Sequence, residues 1–252
     1  MHMEDLTALY WDPNRTASYN ALFNFIVGSR GAGKTYGILK RGISRFLKSP
    51  KSRRSQFIYM RRMKTELKDL TTANHGTLFD AVAAEFPDHE LVARGNVLTC
   101  DGEVMGYGMA LSTSSIKKSV AYPQVREIYF DEFIIDNTRT YHYLPDEVRK
   151  FQDAYETIAR PGNDPERPDT IAWFLSNAVT ISNPYFAEYG LRPPVNGTSS
   201  DSGRRGTFSC KAWPTLSWPR SRRAPESGRC SPARVTRLMP MTTNGSWMTR
   251  PS

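Results

Sequence analysis

The chain of 252 residues is poor in the side chains that staple or metallate a fold. Its three cysteines, Cys100, Cys210 and Cys230, lie far apart, and such spacing indicates neither a disulfide framework nor a metal knuckle. The histidines, His2, His75, His89 and His142, fall at no ligand spacing. No apolar run approaches the ~18 residues of a membrane span. The opening Met1-His2-Met3-Glu4-Asp5 is acidic and precedes no apolar stretch, unlike a secretion leader, so a cytoplasmic protein without a membrane partner is expected.

Net charge is also absent where it would matter most. Residues 1–191 hold 23 basic and 23 acidic side chains, whereas residues 192–252 hold 11 basic and 2 acidic ones and so carry the whole formal charge of +9. The basic pI therefore says little about the first 191 residues, which suit one α/β domain with a sizeable core. The remaining segment has ten Arg to one Lys, ten Ser, eight Pro and no regular apolar period, a composition that cannot build a core. Two accounts stay open for it: a reading frame translated out of register, leaving a disordered tail, or a basic tail that grips nucleic acid.

What is present is more specific. Gly28-Ser29-Arg30-Gly31-Ala32-Gly33-Lys34-Thr35 fits G-x-x-x-x-G-K-[ST]. The apolar run Leu22 to Val27 before it suits a buried strand, and Tyr36 to Lys48 after it carries helical apolar spacing. Strand, glycine-rich turn and helix form the context of a phosphate-binding loop for ATP. Glycines let backbone N–H groups face the phosphates, Lys34 supplies a point charge, and the Thr35 hydroxyl is placed for Mg²⁺.

Downstream, Ile128-Tyr129-Phe130 runs into Asp131-Glu132, in the form of a Walker B strand. Asp131 is expected to hold Mg²⁺ and Glu132 to activate the attacking water, which favours hydrolysis over transfer to a substrate. Thr170 to Leu175 reads as another buried strand, followed by Ser176-Asn177. Asn177 either senses the γ-phosphate or simply closes a turn.

The pattern along the chain predicts an α/β P-loop NTPase fold with a mainly parallel central sheet flanked by helices, of the additional-strand, catalytic-glutamate type. Strands are expected at Ser55–Met60, Glu90–Ala93, Val97–Cys100 and Val104–Leu111, the last three as a small antiparallel insertion. Helices are expected at Thr77–Phe86 and from Pro145 through Ile158. From Lys40 to Lys68 eleven basic residues face one acid, Glu66. This run is either a solvated face or a grip on DNA phosphates.

Several stretches resemble the DNA-packaging ATPases of small protein-primed tailed phages of the phi-29 type. They are Asn24 to Gly31, Gln56 to Arg62, Glu85 to Val92, Phe130 to Ile134 and Leu175 to Val179, within a match from about Tyr10 to Leu191. The Glu85 to Val92 string and the Ser176-Asn177 context have no catalytic necessity and are the more diagnostic. The resemblance implies an ATP-driven motor subunit in a homo-oligomeric ring, a pentamer, that threads double-stranded DNA into a preformed capsid. It implies the phage portal and a packaging RNA as partners, with the protein in the host cytoplasm and transiently at the portal. Arg160 matches the family's arginine finger, an alternative to a plain helix-terminal cation. Lys64 and Lys118 match basic positions that face DNA or the next subunit. Family members continue into a second α/β domain, where this sequence has its Arg/Ser/Pro segment. The alternatives are another DNA-translocating or helicase-like ATPase, or a nucleotide-binding assembly factor without turnover.

Overall fold

Near-continuous apolar runs along short segments dictate a sheet buried on both faces, because successive strand side chains point to opposite sides. The computed structural model describes residues 10–18, 20–72, 77–117, 120–136, 141–160, 168–180, 182–191 and 207–212. In chain order its elements are α1 (Pro13–Ala17), β1 (Phe23–Gly28), α2 (Lys34–Lys48), β2 (Gln56–Arg61), α3 (Lys64–Thr71), β3 (Leu91–Arg94), β4 (Val97–Cys100), β5 (Glu103–Ala110), β6 (Val125–Asp131), α4 (Glu147–Ala159), β7 (Ile171–Asn177), α5 (Pro184–Glu188) and β8 (Thr207–Ala212).

One eight-stranded sheet has the order β3-β4-β5-β2-β6-β7-β1-β8. Strands β5, β2, β6, β7 and β1 run parallel. The β3–β4 hairpin joins β5 antiparallel, extending the same sheet rather than standing apart. Between β1, which leads into the Gly28–Thr35 loop, and β6, which ends in Asp131, the chain inserts β7. Parallel strands place Gly28, Arg61, Asp131 and Asn177 together at one edge of the sheet, where ligands of open α/β folds bind.

Each face has its own core. Phe23, Phe25 and Val27 of β1, with Ile58, Met60, Ile128, Phe130 and Phe174, pack against Phe151, Tyr155 and Ile158 of α4. On the other face Ile26, Phe57, Tyr59, Tyr129, Trp173 and Leu175 meet Ile38, Leu39, Ile43 and Phe46 of α2. Gly42 brings α2 close: a Cβ there would stand 2.7 Å from the Tyr129 hydroxyl. At about 25 cal/mol per Å² of apolar area, two such layers supply the main drive for folding.

The structure departs from, or adds to, the sequence pattern at four places. Thr77–Phe86 is not an α-helix but a series of turns closing in a short 3-10 stretch, Ala83–Glu85. Burying Leu78, Phe79 and Val82 under the hairpin outweighs the local amphipathic pattern. Helix α3 was not anticipated, because its apolar stripe is short and sits among charges; Glu66 caps it by accepting from the Met63 N–H at 3.4 Å. Helix α4 begins at Glu147 rather than at Pro145, since Asp146 is left-handed with φ 51°. Within the segment read as a tail without structure, Thr207–Ala212 forms β8, antiparallel to β1 from Phe23↔Ala212 to Gly28↔Thr207.

Candidate nucleotide site

The loop Gly28–Thr35 leaves the end of β1 and enters α2 through two glycines with positive φ, Gly31 at 77° and Gly33 at 74°. Residues with a Cβ resist this conformation, and Gly33 has a second constraint. A Cβ on it would lie 2.7 Å from the Tyr10 ring. The turn aims the first amides of a 15-residue helix at the cleft, where the helix dipole favours an anion.

Lys34 is the buried cation of the loop. Its Nζ donates to the carbonyls of Gly28 at 3.1 Å and Ser29 at 2.8 Å, and to Asn177 Oδ1 at 3.2 Å. Burial lowers its pKa and the nearby Asp131 charge opposes that shift. Next to it, Thr35 Oγ1 donates to Asp131 Oδ2 at 2.9 Å, joining the two residues predicted to share a metal. Ser29 Oγ is buried and has no hydrogen-bond partner among the described residues.

Asp131 is held from three sides: Oδ2 accepts from the Tyr59 hydroxyl at 2.8 Å as well as from Thr35, and Oδ1 accepts from the Glu132 N–H at 3.0 Å. Burial first, and then the Asp131 charge, push the Tyr59 pKa well above the usual tyrosine range, so its hydroxyl remains a donor. Glu132 departs from strand geometry with φ 59°, which swings its half-exposed carboxylate out of the sheet. Arg61 Nη2 meets Glu132 Oε2 at 2.6 Å, while the same guanidinium lies 3.4 Å from Glu66 and 3.9 Å from Asp131.

Arg30 to Tyr36, with Asp131, Glu132, Ser176 and Asn177, line a cleft of about 260 Å³. A larger groove of about 630 Å³ lies between α4 and α5. It contains none of the predicted site residues, so chemistry rather than size identifies the site. Asn177 is the last residue of β7, opposite Gly28 in register, rather than part of a turn.

Not every predicted residue joins the cleft. Exposed Arg160 follows α4, whose last turn is tied to the other end of the sheet by the Tyr155 hydroxyl donating to the Thr170 carbonyl. A seven-residue strand separates that end from Asn177, about 20 Å at the usual rise per residue. Lys64 is exposed at the first position of α3, outside the cleft. Lys118 lies outside the described residues.

The basic run from Lys40 to Lys68 is largely committed within the domain. Lys40 pairs with Glu85, Arg41 and Arg45 with Glu127, Arg54 with Glu103, Arg61 with Glu132, and Arg62 with Glu147. A run that looked unbalanced along the chain is balanced in space by acids from distant segments. Sequence reasoning counted Arg61 in that run and passed over Tyr59. Both stand at or near the end of β2, the edge that β1 and β6 mark out, which was the available signal. Elsewhere His89, Cys100 and Asp101, whose spacing gave no metal signal, come within 4.8 Å of one another. A 2.7 Å bond between His89 Nδ1 and Asp101 accounts for their meeting.

Residues 5–200 match the model of the family described as Podovirus DNA encapsidation protein (Gp16). The chain belongs to that family. Among podovirus encapsidation proteins it is similar to the DNA packaging protein of Bacillus phage phi29, 41% identical over 189 residues that make up 75% of this chain and 52% of the relative. It is also 40% identical over 179 residues to the DNA packaging protein of Bacillus phage B103, covering 71% of this chain and 51% of that one. The chain thus spans about half the length of these curated relatives.

Among solved structures, the N-terminal domain of the DNA packaging ATPase from bacteriophage phi29 is similar with a TM-score of 0.64 and 39% identity, over 75% of this chain and 89% of that one. A chain of the bacteriophage Phi-29 viral genome packaging motor assembly gives 0.63 at 39% identity, over 75% of this chain and 53% of that one. Among the described residues no helix is long and apolar enough to cross a membrane.

Proposed function

We propose that this encapsidation-family chain is an ATP-hydrolysing P-loop motor subunit that moves double-stranded viral DNA into a preformed capsid. The observation that carries this reading is the meeting of Thr35 and Asp131 at 2.9 Å beside Lys34 and Asn177, from segments far apart in sequence. The site's chemistry fits Mg²⁺ and a triphosphate. Thr35 and Asp131 offer hard oxygen donors, and the loop offers backbone amides and an ammonium.

Thr35 and Asp131 would hold the metal, Asp131 through water, with Tyr59 fixing the carboxylate. When bound, Mg²⁺ neutralises phosphate charge and ATP supplies the phosphoryl group. Lys34 would exchange its carbonyl partners for phosphate oxygens, and Asn177, bonded to Lys34 across the cleft, would report the γ-phosphate. Glu132 orients and deprotonates water once its carboxylate leaves Arg61.

Arg160, on the far side of the sheet from its own cleft, is suited to act in a neighbour's site as an arginine finger within a homo-oligomeric ring, a pentamer in the family resemblance. Lys64 would face DNA or the next subunit from α3, as would Lys118. The portal, a packaging RNA, and residence in the host cytoplasm with transient docking at the capsid follow from the same resemblance.

A DNA-stimulated ATPase assay tests the proposal. Hydrolysis that rises with double-stranded DNA of any sequence is expected. ATP binding with no turnover would replace it with an assembly factor, and stimulation by single strands alone with a helicase-like enzyme.

A further inference from the structure

Immediately after β2, Arg62 is fully buried at 0% exposure, and its donors are committed to two places. Nε and Nη2 form a two-pronged pair with Glu147 at 2.8 and 2.9 Å. On its other side Nη1 donates to the Glu132 carbonyl at 3.1 Å and Nη2 to the Phe133 carbonyl at 2.8 Å. Glu147 is fixed in turn by the Tyr185 hydroxyl and the Leu144 N–H, each at 2.8 Å. The guanidinium lies 5.0 Å from the Tyr143 ring centroid and 5.7 Å from that of Phe130.

An ion pair this deep is a poor device for stability, because desolvating both charges offsets most of their attraction. Its position suggests another use. The carbonyls it grips belong to the turn in which Glu132 adopts φ 59°, a conformation that L-residues resist and that needs outside support to persist.

We propose that Arg62 is a positioning residue for Glu132: its guanidinium pins the Glu132–Phe133 backbone, and so the direction in which the Glu132 carboxylate enters the cleft, with Glu147 as its anchor. This rests on the reading of Glu132 as the group that activates water. The planar fork is essential, since a lysine ammonium is a point charge that cannot hold two carbonyls and a bidentate carboxylate together.

The test uses the full chain with ATP and double-stranded DNA. Arg62→Lys should lower kcat by about 10- to 100-fold, as slight misplacement of a catalytic group does, while affinity for a fluorescent ATP analogue stays within about 2-fold, since the phosphate loop is untouched. Combined with the shortened carboxylate of Glu132→Asp, the kcat loss should be smaller than the product of the two single losses, because both changes act through one group.

Multiplicative losses, an unchanged kcat, or a matching loss of nucleotide affinity would overturn the proposal. Should Arg62→Lys fail to fold, Glu147→Gln gives the same readout by weakening the anchor at constant volume, with the same split expected and the same results overturning it. Glu132→Gln serves as the control: full turnover in that variant would sink the role of Glu132 itself, whatever Arg62 does.

Discussion

Lys34 and Glu132 sit in one cleft with different burdens, and their substitutions should separate. Lys34 is buried and, in the proposed site, is the cation that would face the phosphates, so Lys34→Ala should weaken ATP binding by about 10-fold or more, the scale of a lost charge-assisted contact. Glu132 is half exposed, and the side-chain bonds of Lys34 and Thr35 go to other groups, so Glu132→Gln should retain affinity while losing turnover. Equal affinity loss in both proteins would contradict the division. Tyr59 makes a further residue-scale prediction. Its hydroxyl orients Asp131 from a fully buried position, as outer partners of metal ligands do. Tyr59→Phe should raise the Mg²⁺ concentration for half-maximal hydrolysis about 10-fold, with ATP affinity in the absence of metal unchanged; an unaltered Mg²⁺ requirement would rule out this support.

At the scale of elements, β1, β2, β6 and β7 were legible as short apolar runs and α2 by its three-to-four-residue period, with a chemical marker at the ends of β1, β6 and β7. Thr77–Phe86 and α3 were not: the first has helical spacing but is claimed by the hydrophobic layer beneath the hairpin, and the second is short and heavily charged. Strand β8 is the most testable of the unexpected elements. It pairs along the whole of β1, the strand that leads into the Gly28–Thr35 loop. A chain ended after Leu191 would expose that edge, and one ended after Ala212 would keep it covered. The shorter protein should melt lower by about 2–4 °C, the shift for roughly 1 kcal/mol in a domain of this size. Equal melting temperatures in a thermal scan would show that the β1–β8 ladder adds no stability.

In the proposed ring, a neighbour would supply what one subunit lacks. Arg160 stands at the end of the sheet opposite its own cleft, so a role for it in hydrolysis requires a neighbour. Arg160→Ala and Glu132→Gln proteins should each be inactive alone and should recover hydrolysis when mixed, because some interfaces then pair an intact glutamate with an intact arginine. An arginine finger is worth roughly 10³- to 10⁵-fold, which makes even partial recovery measurable by phosphate release. Background activity at every mixing ratio, with ring assembly confirmed by light scattering, would exclude action between subunits.

By itself the sequence determined the candidate phosphate loop and carboxylate pair as motifs, and the apolar runs that bury the sheet on both faces, since each is written in residues a few positions apart. Only the tertiary structure decided which charges are partners. Arg61 and Arg62, adjacent in the sequence and alike in chemistry, lie one beside the Glu132 carboxylate and the other buried against Glu147 and the turn's carbonyls. The Lys40–Lys68 run likewise ceased to look like an open basic face once Glu85, Glu103, Glu127 and Glu147 arrived from elsewhere in the chain. Charge neutralisation depends on distance in space, and a linear pattern contains no such distances until the chain folds.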